Sequence, residues 1–231
     1  MIGARQTRRV KEILRWEGAA GLASQLLAAA GYRPLGFFAC PTRADEDPPQ
    51  CAHKPEIAQL GPDDLEDYLA FRRGATADQF LGRLEAGHVG FAARVDGQLA
   101  SVSWIDLEAM WTEYNAIPLR LKPGEIHMYD SFTALSFRGK RVSPQVFHRI
   151  RGHFEAAGYD RVVILIRMQN RPSVRNGERS GFRLTGRVGC FRLGAFAWYT
   201  ASGDAAGRLP GDHRWWLPKR FQLPEPGKST G

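Results

Sequence analysis

The sequence is short of the residues that staple a fold or hold a metal in it. Its three cysteines, Cys40, Cys51 and Cys190, are odd in number, form no CxxC pair and show no cysteine–histidine spacing suited to a metal. That excludes a disulfide framework and a structural zinc site, and it points to three structural thiols in a reducing cytoplasm. The six histidines are dispersed, so no metal is expected from them either. No apolar run is long enough to span a bilayer. Lys and Arg number 32 against 24 Asp and Glu, giving a net charge of +8 and a pI near 9.7. The basic residues nevertheless form no long run and no stripe interleaved with aromatics, which argues against nucleic acid. The charge still favours an anionic partner: a membrane surface, an acidic protein or a phosphate-bearing cofactor.

With 231 residues, 43% of them hydrophobic, the chain can bury one full core and is expected to form one domain with attachments. Arg5, Arg8, Arg9 and Lys11 precede a small-residue stretch, 18–31, with a superficial likeness to a secretion signal ending at Ala28-Ala29-Ala30. Glu12, Arg15, Trp16, Glu17 and Gln25 interrupt that pattern, so an amphipathic helical segment is expected instead. Packing against its own domain is its expected fate, and peripheral contact with an anionic membrane is the alternative. Residues 35–40 follow as a strand, and 41–54, rich in Pro, Asp and Glu, as a linker. We divide the chain into an N-terminal helical appendage and linker (1–54), a main domain (55–200) and a Pro/Gly-rich tail (201–231), in which Trp215 and Trp216 are expected to dock on the domain and the final six or so residues to be disordered.

Inside the main domain, 57–60 is a strand candidate, and Gly61-Pro62-Asp63-Asp64 opens a helix with acidic residues at its positive end. A second helix is expected over 76–85, ended by Gly87. A hairpin spans 89–107 around Asp96-Gly97, the dipeptide favoured in type I′ turns. Residues 108–122 are an irregular insertion, with Trp111 and Tyr114 as substrate-facing or packing aromatics. A strand over 125–135 runs into the basic loop Phe137-Arg138-Gly139-Lys140-Arg141. Ser143 as N-cap, Pro144 at the first helical position, an apolar stripe of Val146, Phe147, Ile150 and Phe154, and Gly158 as terminator predict the helix after it. The continuous apolar run 162–166 predicts a central strand covered on both faces. A short helix or turn over 170–179 and a closing hairpin over 182–199, turning near Gly194, complete the domain. Arg171, Arg175 and Arg179 would make a cationic stripe on that short helix, either a solvated face or a binding surface.

This order of elements resembles the GNAT N-acetyltransferase superfamily, and two segments carry the likeness. Ser131-Phe132-Thr133-Ala134-Leu135-Ser136-Phe137-Arg138-Gly139-Lys140-Arg141-Val142-Ser143 is similar to that family's strand running into its pyrophosphate loop. Asn170-Arg171-Pro172-Ser173 with Gly181-Phe182 is similar to its later motif. Together they look most like bacterial members associated with cell-surface polysaccharide or N-acyl amino acid synthesis. The resemblance implies an α/β (α+β) fold with a mixed, mostly antiparallel sheet flanked by helices. It also implies an N-acyltransferase that takes acetyl-CoA or another acyl-CoA as donor and a small-molecule amine as acceptor. The coenzyme A contacts it implies are Phe132, Thr133, Leu135, Arg138, Gly139, Lys140, Arg141, Val142, Ser143, Asn170 and Ser173. Physically, a loop of exposed N–H groups at a helix N-terminus, reinforced by cations, is a competent receptor for a diphosphate.

Three positions depart from the family pattern. Arg141 stands where Gly is usual, with Ser143 where Gly or Ala is usual, and Gly177 stands where many members carry the Tyr proposed to protonate the departing thiolate. The general base is expected on the strand before the loop: Glu125 or His127, which share a face with Tyr129, or Asp130 on the other face. The arginine stripe would grip the ribose phosphate or dock an acidic acyl carrier protein in place of coenzyme A. A degenerate, non-catalytic binding module is the reading from another class. Pairing of edge strands allows a homodimer.

Overall fold

The computed structural model describes residues 32–43, 48–110, 119–193, 196–209 and 214–216. The N-terminal helical segment, Trp111, Tyr114, Gly194 and the end of the tail lie outside the described residues, as do the side chains of Trp215 and Trp216. Eleven strands and four α-helices follow one another in the described chain. They are β1 (Tyr32–Pro41), β2 (Glu56–Gln59), α1 (Leu65–Phe71), α2 (Ala77–Glu85), β3 (Val89–Val95), β4 (Gln98–Asp106), β5 (Ala109–Met110), β6 (Leu119–Arg120), β7 (Glu125–Thr133), α3 (Val142–Ala156), β8 (Arg161–Arg167), α4 (Arg171–Arg179), β9 (Arg183–Leu193), β10 (Phe196–Gly203) and β11 (Arg214–Trp216). Nine strands form one sheet in the order β11-β10-β9-β1-β8-β7-β4-β3-β2. Its described pairs are antiparallel except β7 with β8.

Local sequence accounts for most of these elements. Asp96 and Gly97 both take positive φ, 51° and 77°, as the turn of a type I′ hairpin requires. Thr76 caps α2, its hydroxyl accepting from Gln79 N at 3.2 Å while Gln79 reaches back to Thr76 N. The β7–β8 pair is parallel because α3 is the crossover between them.

Two expected boundaries are corrected. The strand assigned to the appendage, β1, sits between β8 and β9 in the middle of the sheet. Phe37 and Phe38 are both fully buried, on opposite faces, so the uninterrupted apolar run 35–40 reads as a strand covered on both sides. The closing hairpin β9–β10 therefore joins the sheet through β1 rather than through β8. At the other end β10 runs past residue 200, and Ala205, Arg208 and Leu209 of the expected tail are buried. Arg208 reaches the interior because its guanidinium meets the Glu125 carboxylate, Nη1 to Oε2 at 2.5 Å and Nη2 to Oε1 at 2.7 Å.

The two faces of the sheet are packed differently. On one, α3 and α4 cover a single cluster built from Phe38, Ile126, Met128, Val146, Ile150, Phe154, Ile164 and their neighbours. On the other, the apolar packing is in two pieces. Tyr68, Phe80, Trp104 and Val102 lie under α1 and α2, and Leu35, Phe37, Val163, Val188 and Tyr199 lie beyond β8. Between the two pieces runs β7, which presents Glu125, His127 and Tyr129. A polar seam thus divides that face along one central strand.

Candidate active site

β7 and β8 are paired only through Glu125–Arg161, Ile126–Val162 and His127–Val163. Beyond that point β7 keeps its pairing with β4 but has no ladder to β8, so the two parallel strands part at their carboxyl ends. A crevice outside the carboxyl ends of parallel strands is where open α/β sheets bind ligands. The unladdered edge of β7 also offers main-chain groups to an extended ligand, in the manner of an added strand.

A bulge shapes the same stretch. Val102 pairs with Phe132 and Trp104 with Tyr129, so Ser103 alone faces both Asp130 and Ser131, and its hydroxyl donates to Ser131 Oγ at 2.9 Å. Asp130 takes φ 43°. The bulge corrects the expectation from strand alternation that Asp130 lies on the face away from Tyr129. Its carboxylate instead accepts from Arg72 Nη2 at 2.7 Å and Arg83 Nη1 at 2.8 Å, on the α1/α2 side, where Arg83 also lies 5.2 Å over the Tyr129 ring. One carboxylate thus serves two guanidinium groups at the rim of the seam, and the trio keeps a net charge of +1.

At the end of β7 the chain makes a short 3-10 turn, Leu135–Phe137, and reaches α3 through exposed Arg138, Gly139, Lys140 and Arg141. The helix begins at Val142, and its N-cap is Arg141, at φ 62° and ψ 22°, with no side-chain cap. Ser143 is thus not the cap: it lies inside the first turn, its hydroxyl accepting from Asn176 Nδ2 of α4 at 3.1 Å. Val142 is buried and anchors that turn to the core. Arg141 holds the left-handed conformation that a glycine takes readily, so the backbone path survives the substitution. The N–H groups of Arg141, Val142 and Ser143 precede any intrahelical partner, and with the three cations they form an anion-receptive end.

Other groups already hold parts of this cradle. Arg138 Nε donates to Thr133 O at 3.2 Å, with its guanidinium 5.8 Å over Phe132, and the Thr133 hydroxyl meets Ser101 Oγ at 3.0 Å. Leu135 is 77% exposed at the mouth of the crevice. Asn170 caps α4, its side-chain oxygen accepting from Ser173 N at 3.3 Å. Because β7 and β8 are parallel and each leads into a helix, the N-termini of α3 and α4 open on the same edge of the sheet. The linker also contributes: Cys51 Sγ donates to Lys140 O at 3.1 Å, and Gln145 Nε2 donates to Pro49 O. A depression of about 380 Å³ lies between them, lined by Gln50, Cys51, Ala52, Gly139, Lys140 and Arg141.

The three expected bases occupy different surroundings. Burial pushes the Glu125 carboxyl up, but hydrogen bonds from Arg208 and Lys122 N, with the charges of Arg208 and Arg161, outweigh it and hold Glu125 below its ordinary value. A carboxylate so engaged has little capacity to take a proton. His127 is 1% exposed, and its Nδ1 has no partner among the described residues. Burial is the main cause that brings its pKa down to about 4, against the opposing pull of Asp106 and a main-chain bond with Ala109. Asp130 is bound by its two arginines, as above.

Sequence reasoning did not single out His88, Asp106, Arg72, Arg83 or Arg208. His88 stands just before β3, with Nδ1 2.5 Å from the Tyr129 hydroxyl and Nε2 3.7 Å from Asp106 Oδ2. Asp106 is fixed in turn, its Oδ1 accepting from Glu108 N at 2.9 Å and Ala109 N at 3.1 Å. An aspartate closing a strand of otherwise buried residues was the one readable signal among these. Gly177 is buried in α4, where a Cβ would lie 3.4 Å from Ile166 Cδ1, so that position faces the core and not the crevice.

No family model matches this sequence, and no curated protein matches it. Solved structures are similar in fold. A GNAT-family acetyltransferase from Colwellia psychrerythraea superposes with a TM-score of 0.50 at 18% identity, covering 75% of this chain and 62% of that one. The glucosamine N-acetyltransferase region of a fungal multi-domain GH3 β-N-acetylglucosaminidase gives 0.51 at 12% identity, covering 71% of this chain and 22% of that one. A GNAT-family acetyltransferase from Novosphingobium aromaticivorans gives 0.45 at 19% identity, covering 68% of this chain and 62% of that one. The chain thus spans less than two thirds of the length of these relatives. Its mixed, mostly antiparallel sheet flanked by helices is the fold of the GNAT acetyltransferases.

Proposed function

We propose that this protein transfers an acyl group from a coenzyme A thioester to an amine by direct attack. The observation that carries the reading is the parting of β7 from β8 after His127–Val163, with the exposed basic loop and the first turn of α3 at the end of the opening. An extended pantetheine arm would lie along the free edge of β7 and its diphosphate against residues 138–143. The acceptor nitrogen would then attack the thioester carbonyl, the C–N bond forming as C–S breaks, with a main-chain N–H of the crevice bearing the oxyanion. The left-handed Arg141 keeps the backbone path a glycine would take, which supports a loop whose N–H groups can meet phosphate.

A second reading takes the acyl group from an acidic carrier protein. Its support is that Arg171, Arg175 and Arg179 are all exposed, on a helix tied to the start of α3 by the Asn176–Ser143 bond. Calorimetric titration with acetyl-CoA, a long-chain acyl-CoA and free CoA tests the first reading. Saturable binding is expected, with the preferred thioester reporting acyl length. Absence of binding to all three would discard coenzyme A as donor and leave a carrier-protein donor or a non-catalytic module.

A further inference from the structure

We propose that Tyr129 and His88, with Asp106 behind them, form the proton path that deprotonates the amine acceptor. The inference rests on the acyl-transfer reading above and adds to it residues outside the three expected bases. Tyr129 lies two positions beyond the last β7–β8 pair, at the start of the unladdered stretch, and its half-buried ring is set between the stacked His127 ring and the Arg83 guanidinium. Its hydroxyl meets His88 Nδ1 at 2.5 Å. His88 is assigned the tautomer with Nε2–H on the side of Asp106 Oδ2, an ion-pair separation of 3.7 Å, which leaves Nδ1 to accept the Tyr129 proton. Asp106 cannot swing away, because its other oxygen is held by two main-chain N–H groups. A carboxylate, an imidazole and a hydroxyl are thus lined up in sequence, with the hydroxyl nearest the opening.

The step balances as follows. The acceptor ammonium gives a proton to the Tyr129 oxygen as the phenolic proton moves to His88 Nδ1, and the resulting imidazolium is stabilised by Asp106. The freed amine lone pair forms the C–N bond at the thioester carbonyl. When the C–S bond breaks, the departing sulfur takes the second nitrogen proton, and His88 returns its own to solvent. Tyr129 is the group that touches substrate, and His88 acts through it. The groups facing His88 are Arg83 from α2, Asp106 and Glu108 from the end of β4, and Tyr129 and His127 from β7. Burial brings His88 below its ordinary value and Arg83 adds to that, while Asp106 and Glu108 oppose it, so the imidazole stays neutral and able to accept at neutral pH.

The test compares wild type, His88→Gln and Tyr129→Phe, with the amine acceptor saturating, in kcat against pH. Wild type should show kcat rising through an acid limb below the ordinary histidine value. His88→Gln should lose that limb and about 10²- to 10⁴-fold in kcat. Tyr129→Phe, which keeps the ring beneath Arg83, should lose a comparable factor. A His88→Gln enzyme with wild-type kcat and an unchanged limb would overturn the relay while leaving the transferase reading standing. If wild type binds acyl-CoA but acylates no amine, the transferase reading fails, and nitrogen-15 titration of the imidazoles then decides the relay. A His88 whose ring nitrogens respond to Tyr129→Phe supports the hydrogen-bonded chain, and one that does not respond overturns it.

Discussion

From Glu125 to His127, β7 is laddered to β8; from Met128 to Thr133 it is bonded to β4 alone. The first stretch is buried, and its carboxylate is clamped by Arg208 and Arg161. The second is bulged and partly exposed, and its polar groups face the α1/α2 side and the basic loop. Both stretches carry acidic and aromatic or imidazole side chains, so residue type does not separate scaffold from site. What separates them is whether the neighbouring strand is present to close the ladder. In the closed half the main chain of β7 is laddered on both sides, whereas in the open half its groups on the β8 side are left for a ligand.

The comparison breaks most severely if Glu125 belongs to the open half after all. As scaffold, Glu125 replaced by Leu leaves Arg208, 1% exposed, without its counter-charge, and unfolding free energy should fall by about 3–5 kcal/mol. Arg208→Met should cost a similar amount, and the double variant much less than the sum. The sign with pH follows from the lowered pKa of Glu125. Its contribution is fully present above the ordinary carboxylate value and is lost as pH falls through its folded value, so wild type should lose stability in acid that the Leu variant has already lost. Denaturant melts across pH measure both. A Leu variant as stable as wild type but inert would move Glu125 into the chemistry.

The open half is sharpened by removing its cations. Changing Arg138 and Lys140 together to Ala should weaken coenzyme A binding by at least about tenfold, roughly 1.4 kcal/mol, because charge-assisted contacts to phosphate are lost. Unchanged affinity in calorimetry would refute the assigned cradle. Arg138 is the more informative of the two, since it also holds Thr133 O and so fixes the end of β7.

What local pattern sets was legible in the sequence, including the shared face of Glu125, His127 and Tyr129 on β7, whereas the partners that side chains find across the sheet were not. The hairpin at Asp96-Gly97, the helix expected over 76–85 and the apolar run of β8 are local signals, each set by residues within a few turns or one strand. The placement of β1 was not local: its apolar run announced a buried strand, but nothing nearby said that its partners are β8 and β9, 120 or more residues away. Arg208 was unreadable for the same reason, being 83 residues from Glu125. Asp130 failed differently. Strand alternation assumes an unbroken ladder, and one extra residue opposite Ser103 was enough to turn its carboxylate to the other face. His88 gave no pattern at all, because a histidine between a helix and a strand acquires meaning only from what lies across the sheet.

The smallest expected effect is at Arg141, and it tests whether the loop keeps its path by strain. A non-glycine residue in the left-handed region costs about 1 kcal/mol relative to glycine. Arg141 bears that cost at the junction between loop and α3, where the crevice needs the chain to turn so that the helix N–H groups face outward. Arg141→Gly should therefore leave the loop in place and raise unfolding free energy by up to about 1 kcal/mol, reduced by the greater freedom glycine gives the unfolded chain. If binding of coenzyme A is unchanged, the backbone alone carries the phosphate contact and the arginine is a tolerated replacement. If binding falls several-fold while stability rises, the side chain itself grips phosphate, and the strain at Arg141 is held in exchange for a charge at the open end of β7.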